Sequence, residues 1–112
     1  MKPVQWWTLI ISLLFVFAVG TTLIIDLSTN GPSLETIHKT LHIAIGFVGL
    51  KLFQKVGRSR AFVLANVLLF GLVAFIGWSL PDYLGLDAFN RVDTILHTIV
   101  SASGIIALSL RR

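Results

Sequence analysis

Four apolar runs alternate with short polar segments along the chain. They predict helices over about 4–25, 34–53, 61–80 and 91–110. A helix needs about 20 apolar residues to cross a hydrocarbon core about 30 Å thick. Backbone amides in lipid also need partners within their own segment. The pattern therefore predicts an all-α fold, a bundle of four transmembrane helices, with residues 1–112 forming a single integral membrane domain.

The first run has one alternative interpretation, a cleaved signal peptide. Such a peptide has a shorter apolar core and a small-x-small cleavage site. The stretch Val16–Thr22 matches that site poorly. We therefore expect the first helix to be retained.

The second run carries a polar stripe that recurs in the fourth run. Residues three and four apart share a helix face. On the second helix that face presents Glu35, His38, His42, Gly46 and Gly49. At an offset of 55 residues, the fourth helix presents Asn90, Asp93, His97, Ser101 and Gly104.

The matching stripes predict an internal repeat of two helical hairpins. Leu13-Leu14-Phe15 and Leu68-Leu69-Phe70 also match at the same offset. We expect the stripes of the second and fourth helices to pack against each other or against a shared neighbour, because small residues let helix backbones approach closely in membranes. The predicted helix-packing positions are Gly46, Gly49, Ser101 and Gly104.

Composition supports the membrane interpretation. The chain is 55% hydrophobic and 12% charged, with a mean hydropathy of +0.89, whereas soluble domains carry about 25% charged residues. The net charge of +4 could suggest nucleic acid. The basic residues, however, lie in short segments between apolar runs, so we expect a lipid bilayer as partner and no nucleic acid.

The charges also predict orientation. Basic residues concentrate on the cytoplasmic side of a membrane protein. With both termini in the cytoplasm, that side holds Lys2, Lys51, Lys55, Arg58, Arg60, Arg111 and Arg112. The opposite side holds two basic residues, Lys39 and Arg91, and all five acids, Asp26, Glu35, Asp82, Asp87 and Asp93. We therefore predict that the N-terminus and the C-terminus are both cytoplasmic.

The histidines allow several interpretations. In the structural one, they hydrogen-bond across helices and no cofactor is bound. In the second, His42 and His97 bind haem b or a chlorophyll-type pigment. In the third, His38, His42 and His97 with Asp93 or Glu35 bind zinc or a similar metal, because H-x-x-x-H places two imidazoles on one helix face. The fourth is a proton-linked or pH-sensing role, as in a transporter subunit.

The chain contains no cysteine, which excludes a disulfide, a thiolate metal site and covalent c-type haem attachment. It also shows no recognisable catalytic motif, so we predict that it is not an enzyme. A small bundle buries little surface by itself. We therefore expect an accessory or structural subunit of a larger membrane assembly, which contacts other membrane protein subunits or self-associates.

The histidine motifs resemble those of a bacterial family of small four-helix integral membrane proteins with no assigned activity. The family pattern has H-x-x-x-H-x-x-x-G on the second helix, a basic loop, a proline-containing loop and N-x-x-D-x-x-L-H at the start of the fourth. The matching residues here are His38, His42, Gly46, the loop Lys55–Arg60, Pro81, Asn90, Asp93, Leu96 and His97. Ser101 stands where the family tends to have glycine. The resemblance implies four helices in a membrane, and we expect a multi-pass protein of the bacterial cell (inner) membrane.

Overall fold

The computed structural model describes residues 1–80 and 89–110, which form four helices and no strand. Helix α1 spans Pro3–Thr29 and contains a π-helical turn at Leu14–Ala18. Helices α2, α3 and α4 span Leu34–Leu52, Val56–Ser79 and Arg91–Ser109. The prediction of an all-α fold with four helices is confirmed for these residues. The predictions that concern Pro81, Asp82, Asp87, Arg111 and Arg112 fall outside them.

Two helices extend beyond their predicted ends. Helix α1 continues four residues past Ile25, so the turn lies at 30–33, where Gly31 has a φ of 72°. Helix α3 begins at Val56, so most of the predicted basic loop is helical. The carbonyls at the end of α2 are satisfied from outside the helix. The Gln5 side chain donates to the carbonyls of Phe53 and Gln54, at 3.1 and 3.0 Å.

Side-chain caps mark the starts of α2 and α4. The Ser33 hydroxyl accepts from the backbone N–H of Glu35, and Thr36 completes a capping box. The Asn90 side chain accepts from the backbone N–H of Asp93, at 2.8 Å. These caps bind N–H groups that have no partner within the helix. They fix where the two histidine-bearing helices begin.

The small residues of the stripes pack against α1 and α3. A Cβ added at Gly46 would lie 2.8 Å from the carbonyl oxygen of Ser12, and one at Gly104 would lie 2.5 Å from Val67. The Ser101 hydroxyl donates to the carbonyl of Val67, at 3.0 Å. Among the described residues, α2 and α4 do not form an extensive contact with each other. Gly46, Gly49, Ser101 and Gly104 therefore lie at helix contacts, but the expectation that α2 and α4 pack against each other through them was wrong, because α1 and α3 fill the space beside them.

Rings that are 55 residues apart in the sequence contact one another along the centre of the bundle. The ring centroids of Trp7 and Phe62 lie 6.4 Å apart, and those of Phe15 and Phe70 lie 5.5 Å apart. The centroids of His42 and His97 lie 5.7 Å apart. We call these three pairs the ring column. Each pair joins the first two helices to the last two.

The polar and apolar side chains are distributed as in a membrane protein. Among the described residues, eight apolar and eight polar side chains are buried. Large apolar side chains such as Phe17, Leu68 and Phe75 are about two-thirds exposed, at 66, 66 and 69%. Helices α1, α3 and α4 are long and apolar enough to cross a membrane. Helix α2 is not among them, and it carries three charged residues, Glu35, Lys39 and Lys51.

Because of the close contact at Gly49, we expect a single added methyl group there to destabilise the fold. A Cβ there would overlap the Ser12 hydroxyl and lie 2.8 Å from Phe62. We expect Gly49→Ala to lower the free energy of unfolding by about 1–3 kcal/mol, the usual effect of overpacking. Thermal unfolding in detergent, followed by circular dichroism, measures the change.

The matched control is Gly20→Ala in α1, where a Cβ would meet nothing within 4 Å. That variant should unfold at the same temperature as the wild type or higher, because alanine favours helix over glycine by about 1 kcal/mol. Equal stability of the two variants would contradict the packing described at Gly49.

Candidate functional site

The three histidines of the chain converge on one point inside the bundle. His38 and His42 come from successive turns of α2, and His97 comes from α4. Each of the three offers a ring nitrogen, and these nitrogens all lie within 4.8 Å of one another. The Nε2 atoms of His38 and His42 are 3.0 Å apart. The structure thus joins two residues of one stripe to one residue of the other, and we call this set the histidine centre.

Glu35 orients the first of these imidazoles. Its Oε1 atom lies 3.1 Å from Nδ1 of His38, one helical turn along α2. A carboxylate accepts hydrogen bonds and does not donate them. It therefore favours the tautomer of His38 that carries its proton on Nδ1, which leaves the Nε2 lone pair directed at His42. Carboxylates bind metal-ligating histidines in the same way in metal centres.

Two phenylalanines hold the other two imidazoles. The Phe15 ring contacts His42 edge-on, with centroids 4.9 Å apart. The Phe70 ring is stacked on His97, at 5.3 Å and an interplanar angle of 25°. Sequence reasoning did not assign either residue to the site. The sequence contains one indication of them, because Leu13-Leu14-Phe15 matches Leu68-Leu69-Phe70 at the offset of 55 residues.

Two buried ring nitrogens of the histidine centre have no hydrogen-bond partner among the described residues. They are Nδ1 of His42 and Nδ1 of His97. His97 is only 3% exposed, so water does not reach most of its ring. A buried polar atom without a partner costs about 1–3 kcal/mol. The centre therefore has unused capacity to bind a ligand or an ion.

Asp93 lies near the histidine centre without belonging to it. The residue lines the same cavity as the three histidines, but its carboxylate is not part of the group within 4.8 Å. Of the four predicted metal ligands, the structure thus brings together His38, His42 and His97. Glu35, named as an alternative to Asp93, instead binds His38.

A cavity of about 540 Å³ adjoins the centre. Helices α1, α2 and α4 form its walls. Its polar residues include Glu35, Lys39 and Asp93 besides the histidines. Lys39 forms an ion pair with Asp26 near the end of α1. Apart from Thr22, the rest of the wall is apolar, with Ile11, Leu14 and Ile99 among its residues.

The ring geometry favours a small ion over a macrocycle. A haem held by two histidines lies between them, with one imidazole on each side of its plane. Here the rings of His42 and His97 are stacked on each other, with an interplanar angle of 26°. His42 also has its Nε2 atom beside His38 rather than facing His97 across a gap. Three imidazoles that converge in this way can surround a single ion.

Fold and site together define a four-helix protein with three helices apolar enough for a membrane and a centre of three buried or half-buried imidazoles. Comparison with family models, with curated proteins and with solved structures finds no match to this chain. The resemblance to a bacterial family of small four-helix membrane proteins therefore stays a prediction.

The contact with Glu35 predicts the tautomer of His38. At a pH above about 8, where imidazole is neutral, we expect ¹⁵N NMR of the metal-free protein to show the Nδ1–H form of His38. Glu35→Ala removes the acceptor and should shift the population toward Nε2–H, the form that dominates in free histidine. Glu35→Gln keeps an acceptor oxygen and should retain Nδ1–H. A wild-type His38 in the Nε2–H form would disprove the orienting role of Glu35.

Proposed function

We propose that this chain is an integral membrane protein that binds a transition-metal ion through His38, His42 and His97. The observation that carries the proposal is the convergence of three imidazole nitrogens within 4.8 Å. Two imidazoles bound to one tetrahedral zinc ion, at about 2.0–2.1 Å each, have their nitrogens about 3.3 Å apart. The separation of 3.0 Å between His38 and His42 is close to that value. Binding would also bring the His97 nitrogen closer, from within 4.8 Å of the other two to the same separation.

The ligand set restricts the class of ion. Imidazole suits Zn²⁺, Cu²⁺, Fe²⁺ and Ni²⁺, whereas Mg²⁺ and Ca²⁺ prefer oxygen ligands. The chain has no cysteine, so no thiolate adds preference for softer ions. Nδ1–H of His38 bonded to Glu35 leaves its other nitrogen free to bind metal. We take Zn²⁺ as the reference ion for tests.

The proposal includes four membrane crossings with both termini in the cytoplasm of a bacterial cell. Helix α2 carries charges, but two of them have partners: Glu35 binds His38, and Lys39 binds Asp26. Paired charges that face the bundle lower the cost of a charged segment in lipid. Lys51 lies in the last turn of α2, next to Lys55, Arg58 and Arg60. The positive-inside rule places this group in the cytoplasm.

We also infer that the two hairpins, α1–α2 and α3–α4, are related as a repeat. All three pairs of the ring column join residues 55 positions apart. Such self-pairs arise where a two-fold axis runs between two equivalent halves. The glycines give the same indication: Gly49 lies against Phe62, while Gly104 lies against Trp7. Gly104 lies 55 residues after Gly49, and its partner Trp7 lies 55 residues before Phe62.

A role as an accessory subunit of a larger assembly stays a prediction. The exposed apolar faces would suit either lipid or partner helices, so they do not favour one over the other. Metal binding has the more specific support, since it accounts for the positions of three residues and of Glu35.

The proposed orientation predicts from which side of the membrane a reagent can reach each loop. Since the chain has no cysteine, one introduced thiol is a unique label. In cells treated with a membrane-impermeant maleimide, we expect Thr29→Cys to be labelled from outside. Arg58→Cys should be labelled only after the membrane has been permeabilised. The reverse pattern would refute the proposed orientation.

The metal site predicts one ion per chain. The protein should be purified in mild detergent with a tag that contains no histidine, stripped with a chelator and titrated with Zn²⁺. We expect about one tightly bound Zn²⁺ by mass spectrometry of the metal content. His38→Ala, His42→Ala and His97→Ala should each weaken binding at least tenfold, which corresponds to about 1.4 kcal/mol.

Thr40→Ala is the matched control, because this exposed residue lies on the same helix and its hydroxyl donates to the Thr36 carbonyl. It should bind Zn²⁺ as the wild type does. Binding that survives in the triple histidine variant, or no binding by the folded wild type, would overturn the proposed function. An absorption band of haem that depends on His42 and His97 would do the same.

A further inference from the structure

The histidine centre lies close to one end of the bundle. His38 is in the second turn of α2, and His97 is in the second turn of α4. Exposure falls from that end inward: the side chain of Asp26 is 35% exposed and that of His38 is 21% exposed, whereas His97 is 3% exposed. The centre is therefore nearest to solution where α1 joins α2. We call this the Asp26 end of the bundle, and we call the opposite end, where α2 joins α3, the Arg58 end.

Packed side chains close the centre toward the Arg58 end. The centroid of the Phe15 ring lies 4.9 Å from that of His42 and 5.5 Å from that of Phe70, and both phenylalanines are buried. One turn further along α2, a Cβ at Gly46 would lie 2.8 Å from the carbonyl oxygen of Ser12. The apolar core follows, with Val4, Trp7, Phe62, Val63 and Ala107. An ion that crossed this region would give up its ligands and its water for apolar surroundings, which is costly.

The open side of the centre carries an ion pair. All three histidines line the cavity of about 540 Å³, and so do Glu35 and Lys39. Lys39 pairs with Asp26 in the last turn of α1. The other openings of the cavity lie between exposed apolar residues such as Leu14 and Ile99, which face acyl chains in a membrane. A dissolved cation does not cross acyl chains, so it reaches the centre past the ion pair.

The charges at the two ends of the bundle act in the same direction. Asp26 and Glu35 lie at the Asp26 end. Among the described residues, the Arg58 end carries no acid and five basic residues: Lys2, Lys51, Lys55, Arg58 and Arg60. Charge of one sign at an entrance raises the local concentration of ions of the opposite sign and repels ions of the same sign. Cations are therefore repelled from the closed end.

We propose that the histidine centre takes up and releases its ion only at the Asp26 end, and that the Asp26–Lys39 ion pair sets the rate of entry. This inference rests on the proposed metal site and adds the side of the membrane from which the ion comes. With the proposed orientation, the ion is a dissolved divalent cation from outside the cytoplasm. The protein holds this ion without passing it across the membrane.

The first experiment separates molecules by orientation. The full chain is loaded with Zn²⁺ and placed in lipid vesicles so sparsely that single vesicles hold single molecules. Vesicles that expose Thr29→Cys, or in a second sample Arg58→Cys, are captured through a membrane-impermeant biotin maleimide. A membrane-impermeant chelator should remove Zn²⁺ from the captured Thr29→Cys vesicles. It should leave Zn²⁺ in the captured Arg58→Cys vesicles until detergent is added.

The second experiment measures how fast Co²⁺ enters the metal-free protein in nanodiscs, from the rise of its visible bands. Lys39→Gln should raise this rate about threefold or more, and Asp26→Asn should lower it by a similar factor. The double variant has the net charge of the wild type and should load at the wild-type rate. A purely structural effect of losing the ion pair would instead move all three variants in one direction.

Lys51→Gln is the matched control, because it removes the same charge from an exposed position on the same helix. It lies about 18 Å further along α2 than Lys39 at 1.5 Å per residue. This distance exceeds the screening length of about 8–10 Å at ordinary salt. The variant should load Co²⁺ as the wild type does.

The outcomes separate this inference from the proposed function. Absence of histidine-dependent metal binding would overturn both. Zn²⁺ that is held but is lost from the Arg58→Cys vesicles, or is kept in the Thr29→Cys vesicles, would overturn one-sided exchange alone. Histidine-dependent entry of Zn²⁺ into vesicles that contain a trapped indicator would do the same. Equal rates in Lys39→Gln and Asp26→Asn would overturn the role of the ion pair.

Discussion

The ring column is the interaction on which the rest of the molecule depends. Between helices in lipid, burial of apolar surface gives little driving force, because the tails are as apolar as the side chains. Helices must then be held together by close van der Waals packing of their side chains. The pairs Trp7–Phe62 and Phe15–Phe70 provide such contacts between α1 and α3. The third pair, His42–His97, continues the column with polar rings contributed by α2 and α4. The site is thus an extension of the packing that joins the two halves.

The glycines explain how α2 and α4 come close enough for their imidazoles to meet. Gly46 and Gly49 let α2 approach α1, and Gly104 lets α4 approach α3 and Trp7. The glycines themselves contact α1 and α3. Because α1 and α3 lie beside these glycines, α2 and α4 meet at the long side chains of their histidines. His38 reaches the same point from one turn nearer the start of α2, where Glu35 holds its ring.

The sequence predicted the features that depend on local spacing. Helix number follows from the four apolar runs, and the shared face of His38 and His42 follows from their spacing of four residues. Which helix a face packs against is a tertiary property, so the partners of Gly46 and Gly104 could not be predicted. The π turn at Leu14–Ala18 has no local signature such as proline. Phe15 and Phe70 were noticed as a matched pair, but matches between apolar residues arise easily in such a sequence. Only the contacts assigned them to the site.

The structure also bears on the choice between a packing role and a binding role for the histidines. A packing role predicts hydrogen bonds between helices. Among the described residues, however, the hydrogen bonds of the histidine centre lie within α2, from Glu35 to His38 and from His38 to His42. The contact between α2 and α4 is ring stacking, which phenylalanine would supply without a buried polar nitrogen, as Phe15 and Phe70 do next to it. Imidazoles at His42 and His97 therefore add a cost that packing does not offset. An ion held by the three histidines would use one nitrogen of each ring, which phenylalanine does not offer.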